Sequence, residues 1–361
     1  MSIPAKIKLL IVVPTLECGG LERNVSIISN NIDTNKYDVT LAVLNNEKPF
    51  FTITNHGVKL VDLRIRKVRK SLFAIVRLSR KINPDIILTT ANHLNLYLSI
   101  FKWVFPKKMK LVARESSIVS INTEHAPFPK LYHWLLRRFY KNTDLIICQS
   151  EYMRNDLISH YHIPGNKLRV IYNSVTVPDS NMTNHAGNNT AELVTVARLS
   201  SEKGLDRLIR AVSQLKIPYR FTIIGEGNNR AALQELINGL SLQQKVLLAG
   251  SSEKPFTIVK SPSVFLMGSY YEGFPNAMLE ALAAGIPVVA FDAPGGISEL
   301  LVHNENGLLV DSKDEKLFAE TVEVALGIPF NREKIKASTL QRFNINAVMK
   351  QWYDIFDSCT Q

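Results

Sequence analysis

Glu272 and Glu280 stand eight positions apart, with Gly-Phe-Pro-Asn (273 to 276) between the first of them and a run of strong helix formers, "AMLEALAA". Pro is tolerated in the first turn of a helix and Asn can cap one, so Pro275 and Asn276 predict a helix start. Glu280 then rides on the helix and Glu272 on the loop ahead of it. The amides of Gly273, Phe274 and the first helical residues, Asn276 among them, face one spot carrying the positive end of the helix dipole, and such a spot binds phosphate. A carboxylate one turn down the helix can accept hydrogen bonds from ribose hydroxyls, while one on the loop can reach whatever lies beyond the phosphates. A nucleotide diphosphate bearing a sugar fits that order. The plainer reading is that both glutamates only complement the dipole.

Other segments offer partners for such a ligand. In "ARLSSEKGLDRL", Arg198 and Lys203 occupy a strand-to-helix turn, the edge where open α/β sheets bind ligands; two cations there could neutralise a departing diphosphate. Alone they also read as ordinary surface charges. "IIGEGNN" (223 to 229) ends a strand on Gly225 and Gly227, a turn that lets a ring or backbone approach closely. "PTLECGGLER" places Gly19 and Gly20 between the first strand and first helix, a loop suited to a phosphate but without G-x-G-x-x-G spacing. A nicotinamide cofactor is therefore poorly supported.

The elements that must position these residues alternate along the chain. "KLLIVV", "DVTLAVL", "VKLVDL", "DIILTT", "MKLVAR", "DLIICQS" and "LRVIYNS" read as strands, separated by amphipathic stretches such as 132 to 140 and 152 to 161. Periodicity stops in 175 to 192, where Pro, Asn, Ser, Thr and Gly predict a linker. It resumes with "LVTVAR", "RFTIIG", "KVLLAG", "SVFLMG", "PVVAF" and "GLLV", again interleaved with helical patterns. Two Rossmann-like α/β domains in tandem follow, as the length of 361 residues also favours.

Composition, 46% hydrophobic and 21% charged, is that of a globular protein. The run Leu9 to Val13 is too short to span a membrane and reads as a buried strand. Cys18, Cys148 and Cys359 form no metal or disulfide pattern, which fits a reducing cytoplasm and leaves the sequons at Asn24, Asn181 and Asn188 without meaning. The net charge of +11 is uneven: residues 1 to 176 carry +14 and the rest −3. The densest patches, "RIRKVRKSLFAIVRLSRK" (64 to 81) and "FKWVFPKKMK" (101 to 110), interleave cations with apolar residues. Nucleic acid and an anionic membrane both suit them, as does a solvated helix face.

Taken together and in order, the Glu272 and Glu280 pair, the "VARLSSEKG" turn, the "IIGEG" turn, the "GGLE" loop and "GGISELLVHNENGLLV" (295 to 310) resemble the retaining glycosyltransferases of family four, as in bacterial lipopolysaccharide, capsule and exopolysaccharide synthesis. The resemblance covers nearly the whole chain. It implies a GT-B fold, two Rossmann-like domains facing each other across a cleft: an acceptor domain, 1–175, joined by a last helix within 345–361, and a donor domain, 176–344. It implies a nucleotide-sugar donor, UDP favoured, and a lipid-linked (polyprenyl-diphosphate) or glycan acceptor. Carried over by position, Arg198 and Lys203 lie on the donor diphosphate, Glu272 near the sugar, Glu280 on the ribose, and Glu299 with the Gly225 to Gly227 turn near the nucleoside. Gly19 and Gly20 join the donor set.

The chain has no Asp-x-Asp, which argues against a metal-dependent GT-A enzyme; no metal and no cofactor are expected. The family reaction is drawn as front-face attack, the leaving phosphate oxygen taking the acceptor proton. Many relatives place a histidine at the end of the fifth strand, where this chain reads "VARESSIVS". Arg114 and Glu115 are the candidates there for contact with acceptor or donor, Glu115 to orient a hydroxyl, and His93 and His125 are substitutes from neighbouring strand ends. A lone histidine such as either of these is more often a hydrogen-bonded structural residue. The basic first domain favours the inner face of the cytoplasmic membrane, with peripheral attachment and no nucleic-acid partner. A GT-B sugar-nucleotide epimerase and a non-catalytic nucleic-acid-binding protein are the competing readings.

Overall fold

Leu9 to Val13 are at most 1% exposed, as expected of a strand covered on both sheet faces. They belong to the first of two sheets in a computed structural model that describes residues 5–17, 19–176, 178, 190–259, 261–311 and 313–360. Cys18, the triplets at Asn181 and Asn188, and residues 177 and 179–189 of the expected linker lie outside the described residues. The chain forms two units, residues 1–174 with 345–361 and residues 175–344.

The first unit runs β1 (Ile7–Val13), α1 (Gly20–Asn31), β2 (Tyr37–Val43), β3 (Val58–Asp62), α2 (Leu72–Ile82), β4 (Ile86–Thr90), α3 (Asn92–Ile100), β5 (Lys110–Arg114), α4 (Val119–Glu124), α5 (Pro129–Phe139), β6 (Leu145–Cys148), α6 (Glu151–Tyr161) and β7 (Leu168–Val170). Its sheet is parallel, ordered β3-β2-β1-β4-β5-β6-β7.

The second unit runs β8 (Ala191–Val196), α7 (Leu205–Val212), β9 (Tyr219–Ile224), α8 (Arg230–Gly239), β10 (Val246–Gly250), β11 (Val264–Met267), α9 (Asn276–Ala283), β12 (Val288–Phe291), α10 (Ile297–Leu300), β13 (Gly307–Val310), α11 (Glu315–Gly327) and α12 (Arg332–Phe343). Its parallel sheet is ordered β10-β9-β8-β11-β12-β13. In both sheets the strand order reverses beside the first strand, between β1 and β4 and between β8 and β11. Doubly wound sheets bind ligands at this switch point, outside the carboxyl ends of the strands.

The last helix, α13 (Ile345–Ser358), belongs to the first unit. Val348, Met349, Trp352, Ile355 and Phe356 join the core of Leu9, Ile11, Tyr37 and Val39. At its far end Asp357 accepts from the Tyr37 hydroxyl at 2.8 Å and pairs with Lys36 at 2.5 Å, while Tyr353 stacks on Tyr37. Burial and the neighbouring Asp357 push the Tyr37 phenol well above its ordinary value.

Candidate active site

The second unit's switch point gathers two loops. The chain leaves β8 through Arg198 and a short 3-10 turn, Ser201–Lys203, into α7; it leaves β11 through Gly268 to Pro275 into α9. Lys203 Nζ donates to Glu272 Oε1 at 2.7 Å, and the Ser269 hydroxyl donates to the same oxygen at 2.7 Å. Both members of the pair are mostly enclosed, so water screens them little. Arg198 is placed differently. Its side chain is 74% exposed and meets Glu202 at 3.2 Å, leaving its guanidinium open to a solvent-borne anion. Burial raises the Glu202 pKa, but the Ser200 hydroxyl, a backbone amide and the two cations outweigh it, and the net shift is downward.

Arg207 fastens the two loops together. It lies on α7, is 6% exposed, and donates from Nε to Gly268 O at 2.6 Å and from Nη2 to Ser269 O. Its guanidinium sits 4.3 Å from the Tyr270 ring centroid and 4.1 Å from that of Phe291. A buried cation is tolerated only with such partners. Tyr270 N donates to Glu202 O at 2.9 Å, completing the seam. Glu272 is held from the other side by the 294–296 segment: its amide donates to Pro294 O at 2.9 Å, and Gly296 N donates to its carbonyl at 3.3 Å. Gly295, at φ +124°, passes so close that a Cβ there would fall on the Glu272 carbonyl.

Helix α9 starts one residue earlier than its sequence implies. Pro275 is the N-cap and Asn276 the first helical residue, with no side-chain cap; Asn276 N donates to Phe274 O at 3.0 Å. Asn276 therefore does not cap the helix: Pro275, at φ −82° and ψ 81°, holds the N-cap position and Asn276 is already helical. Gly273 is buried, and Phe274 is buried with its ring 6.1 Å from that of Phe343 on α12, so the Phe274 side chain serves the core. Glu280 is half-buried on α9. Glu299 is half-buried on α10, and its carbonyl accepts from Arg342 at 3.3 Å. The "IIGEG" turn lies against the Arg198 loop: Gly225 N donates to Gly250 O at 2.8 Å, and Leu199 N to Glu226 O at 2.9 Å. Side chains on Gly225 or Gly227 would meet the Ala197 or Leu199 carbonyl, which is why this turn is glycine-rich.

In the first unit Arg114 and Glu115 close β5 and are 2% and 0% exposed. Arg114 donates to Asn173 Oδ1 at 2.6 Å, and Asn95 donates to Glu115 Oε1 at 2.7 Å. Gln149 donates to the Glu115 carbonyl at 2.7 Å and accepts from Asn173 at 2.9 Å. Glu115 Oε2 and Arg114 Nη1 have no hydrogen-bond partner. Burial pushes Glu115 up to about 8 against the opposing pull of Asn95 and Arg114, and it lowers Arg114 to about 10. Both side chains are enclosed at the end of β5, Arg114 held by Asn173 and Glu115 by Asn95. His93 and His125 are both exposed, on α3 and just after α4. Gly19 is the N-cap of α1 and Gly20 its first residue. The Glu22 carboxylate lies over Gly19, so a carboxylate already sits at the helix start that the sequence offered to a phosphate.

Arg207, Ser269, Asn95, Gln149 and Asn173 were not singled out from the sequence. Arg207 carried one signal, a cation within the apolar face of "LDRLIRAV"; its partners lie 61 and 62 residues away and leave no local mark.

Two doubly wound units with a cation-and-carboxylate switch point in the second are the architecture of GT-B glycosyltransferases, and known proteins agree. Residues 18–177 match the family described as Glycosyltransferase Family 4, and residues 182–342 the family described as Glycosyl transferases group 1, nearly the whole chain between them. A Campylobacter jejuni protein named N-acetylgalactosamine-N,N'-diacetylbacillosaminyl-diphospho-undecaprenol 4-alpha-N-acetylgalactosaminyltransferase is 28% identical over 333 residues, 88% of this chain and 90% of its own. The amylovoran biosynthesis glycosyltransferase AmsD of Erwinia amylovora is 25% identical, over 97% of this chain and 99% of its own. The Anabaena protein HepE, crystallised with UDP-glucose, shares the fold at TM-score 0.79 and 19% identity, over 98% of this chain and 100% of its own. The chain belongs to the family-four glycosyltransferases. The epimerase alternative gains no support from these relatives.

Proposed function

We propose that the protein transfers a sugar, with retention at the anomeric carbon and without a metal ion, from a UDP-sugar to a lipid-linked or glycan acceptor at the inner face of the cytoplasmic membrane, in surface polysaccharide assembly. The observation that carries this reading is the Lys203 and Glu272 pair at the carboxyl ends of β8 and β11, held by Ser269 and braced by Arg207. The lipid-linked acceptor is supported by the name of the Campylobacter relative, and the UDP-sugar by the ligand of the Anabaena structure.

In the reaction the bond from the anomeric carbon to the diphosphate oxygen breaks, and the bond to the acceptor oxygen forms on the same face. The acceptor proton passes to the departing phosphate oxygen. Lys203, Arg198 and the start of α9 face the charge that develops on that diphosphate, where fixed charges act most strongly. Glu272 orients Lys203 and reaches the sugar, Glu280 accepts from the ribose, and Glu299 with Gly225 and Gly227 borders the nucleoside. In the first unit, Gly19 and Gly20 at the start of α1 are the residues offered to the donor. Arg114, His93 and His125 are the groups offered to the acceptor side, Arg114 through Asn173.

Transfer from a radiolabelled UDP-sugar panel to membrane lipid extract, with EDTA present, tests this reading. Labelled lipid with an α-linkage from an α-donor, undiminished by EDTA, is the expected product. A β-linked product would overturn retention, and activity abolished by EDTA and restored by a divalent ion would overturn metal independence.

A further inference from the structure

The first unit carries an unusual surface that its core does not explain. Helix α5 buries only Leu136, while Leu131 and Trp134 are 53% and 55% exposed, in one row with Phe128 at 73%. Trp103, in the 3-10 turn Lys102–Val104, is 79% exposed, and Phe73 at the start of α2 is 78% exposed. Scattered single apolar residues need no explanation, but five of the largest on neighbouring segments do.

Hydrogen bonds tie those segments together. The Tyr97 hydroxyl on α3 donates to Arg69 O at 2.8 Å, ahead of α2. Asn142, just beyond α5, donates to Ser99 O at 3.1 Å, and Lys102 pairs with Asp144 at 2.6 Å. The three segments, 64–81, 101–110 and 128–142, hold 16 Lys and Arg and no Asp or Glu. Arg69, Lys70, Lys107, Lys108, Arg137 and Arg138, on the same segments as the aromatic side chains, are exposed.

We infer that this face docks on an anionic lipid bilayer, with Trp103, Phe128, Leu131 and Trp134 seated at headgroup depth and Phe73 at the flank. Trp and Phe prefer that zone, and clustered Lys and Arg are drawn to the negative surface. Among the described residues no helix is long and apolar enough to cross a membrane. Aromatic and basic residues together also suit single-stranded nucleic acid. The aliphatic Leu131, exposed between Phe128 and Trp134, offers no base-stacking plane and favours lipid. The inference rests on the membrane placement proposed above and supplies the surface that performs it.

The chain's own tryptophans report the outcome. Of the three, Trp103 and Trp134 are exposed on this face and Trp352 is 1% exposed in the core. Vesicles of phosphatidylcholine with phosphatidylglycerol should shift the emission of the full chain to shorter wavelength, and pure phosphatidylcholine should shift it much less. Paired Trp103→Ser and Trp134→Ser substitutions should weaken co-sedimentation with the anionic vesicles roughly tenfold or more. Lys107→Glu with Lys108→Glu, which keeps both reporters, should weaken it and reduce the shift. Both variants should keep the wild-type melting temperature and the rise that a UDP-sugar gives. Absence of a vesicle-induced shift, unchanged co-sedimentation of both variants, or a shift given by a single-stranded oligonucleotide but not by vesicles would overturn the docking inference. A donor response that persists in that case leaves the transferase reading standing; loss of the donor response in the wild type would remove that reading instead.

Discussion

Replacing Lys203 with Ala is expected to lower kcat by about two to three orders of magnitude, the usual cost of removing one fixed stabiliser of developing charge. On the proposed mechanism the loss should fall on kcat more than on KM, because a cation on the diphosphate acts most strongly as the sugar leaves. A second consequence separates this role from that of a surface charge. The substitution leaves Glu272 mostly enclosed with Ser269 still donating to it, but without its cation. Breaking such a pair costs stability because the remaining charge is uncompensated. Lys203→Ala combined with Glu272→Gln removes that charge, so the double variant should regain melting temperature without regaining activity. Steady-state kinetics and melting curves on the wild type and both variants check this. A Lys203→Ala enzyme within about threefold of wild-type kcat would exclude the cation from the diphosphate, since losing a fixed stabiliser of developing charge costs far more than that.

Trp352→Ala is expected to destabilise the first unit by about 3 to 5 kcal/mol, the range for emptying a large buried aromatic site. Trp352 is 1% exposed and packs with Phe356 at a centroid distance of 5.5 Å, in a core shared with β1 and β2. A loss of that size is a large part of the stability of an ordinary domain, and for a unit of this size it corresponds to a fall in melting temperature of roughly 6 to 20 °C. The polar contacts at the end of α13 are more exposed, and Asp357→Asn should cost far less. If Trp352→Ala melts within about one degree of wild type, then α13 is an appendage and not part of the core.

The strands were legible in the sequence because parallel strands covered on both faces must be continuous apolar runs, and every run from "KLLIVV" to "GLLV" became one. Switch points follow from strand order, so the carboxyl ends of β8 and β11 could be expected to carry Arg198, Lys203 and Glu272. What the residues do to one another was not legible. Lys203 and Glu272 are 69 positions apart, and nothing local says that Lys203 turns inward while Arg198 stays in water. The start of α9 turned on whether Pro275 or Asn276 takes the capping position, and both residue types are at home there. Arg114 and Glu115 looked available because they end a strand at the ligand-binding edge, yet Asn95 from the preceding helix and Gln149 and Asn173 from later segments hold them by hydrogen bonds. Periodicity marked α5 as amphipathic without saying which face meets the core, and the structure leaves Leu131 and Trp134 outside.

The central claim, that the second unit seats a nucleotide-sugar with its ribose on Glu280, is tested most directly by melting temperature against UDP-, GDP-, CMP- and ADP-sugars, without added metal, for the wild type and Glu280→Ala. A ligand at a hundredfold excess over Kd adds about 2.7 kcal/mol, which for a unit of this size is a rise of roughly 5 to 10 °C. The expected result is such a rise with one nucleotide, UDP foremost, that shrinks in Glu280→Ala while the unliganded melting temperature stays close to wild type. No rise with any nucleotide in a folded sample, or an equal rise in Glu280→Ala, would contradict the placement of the donor at α9.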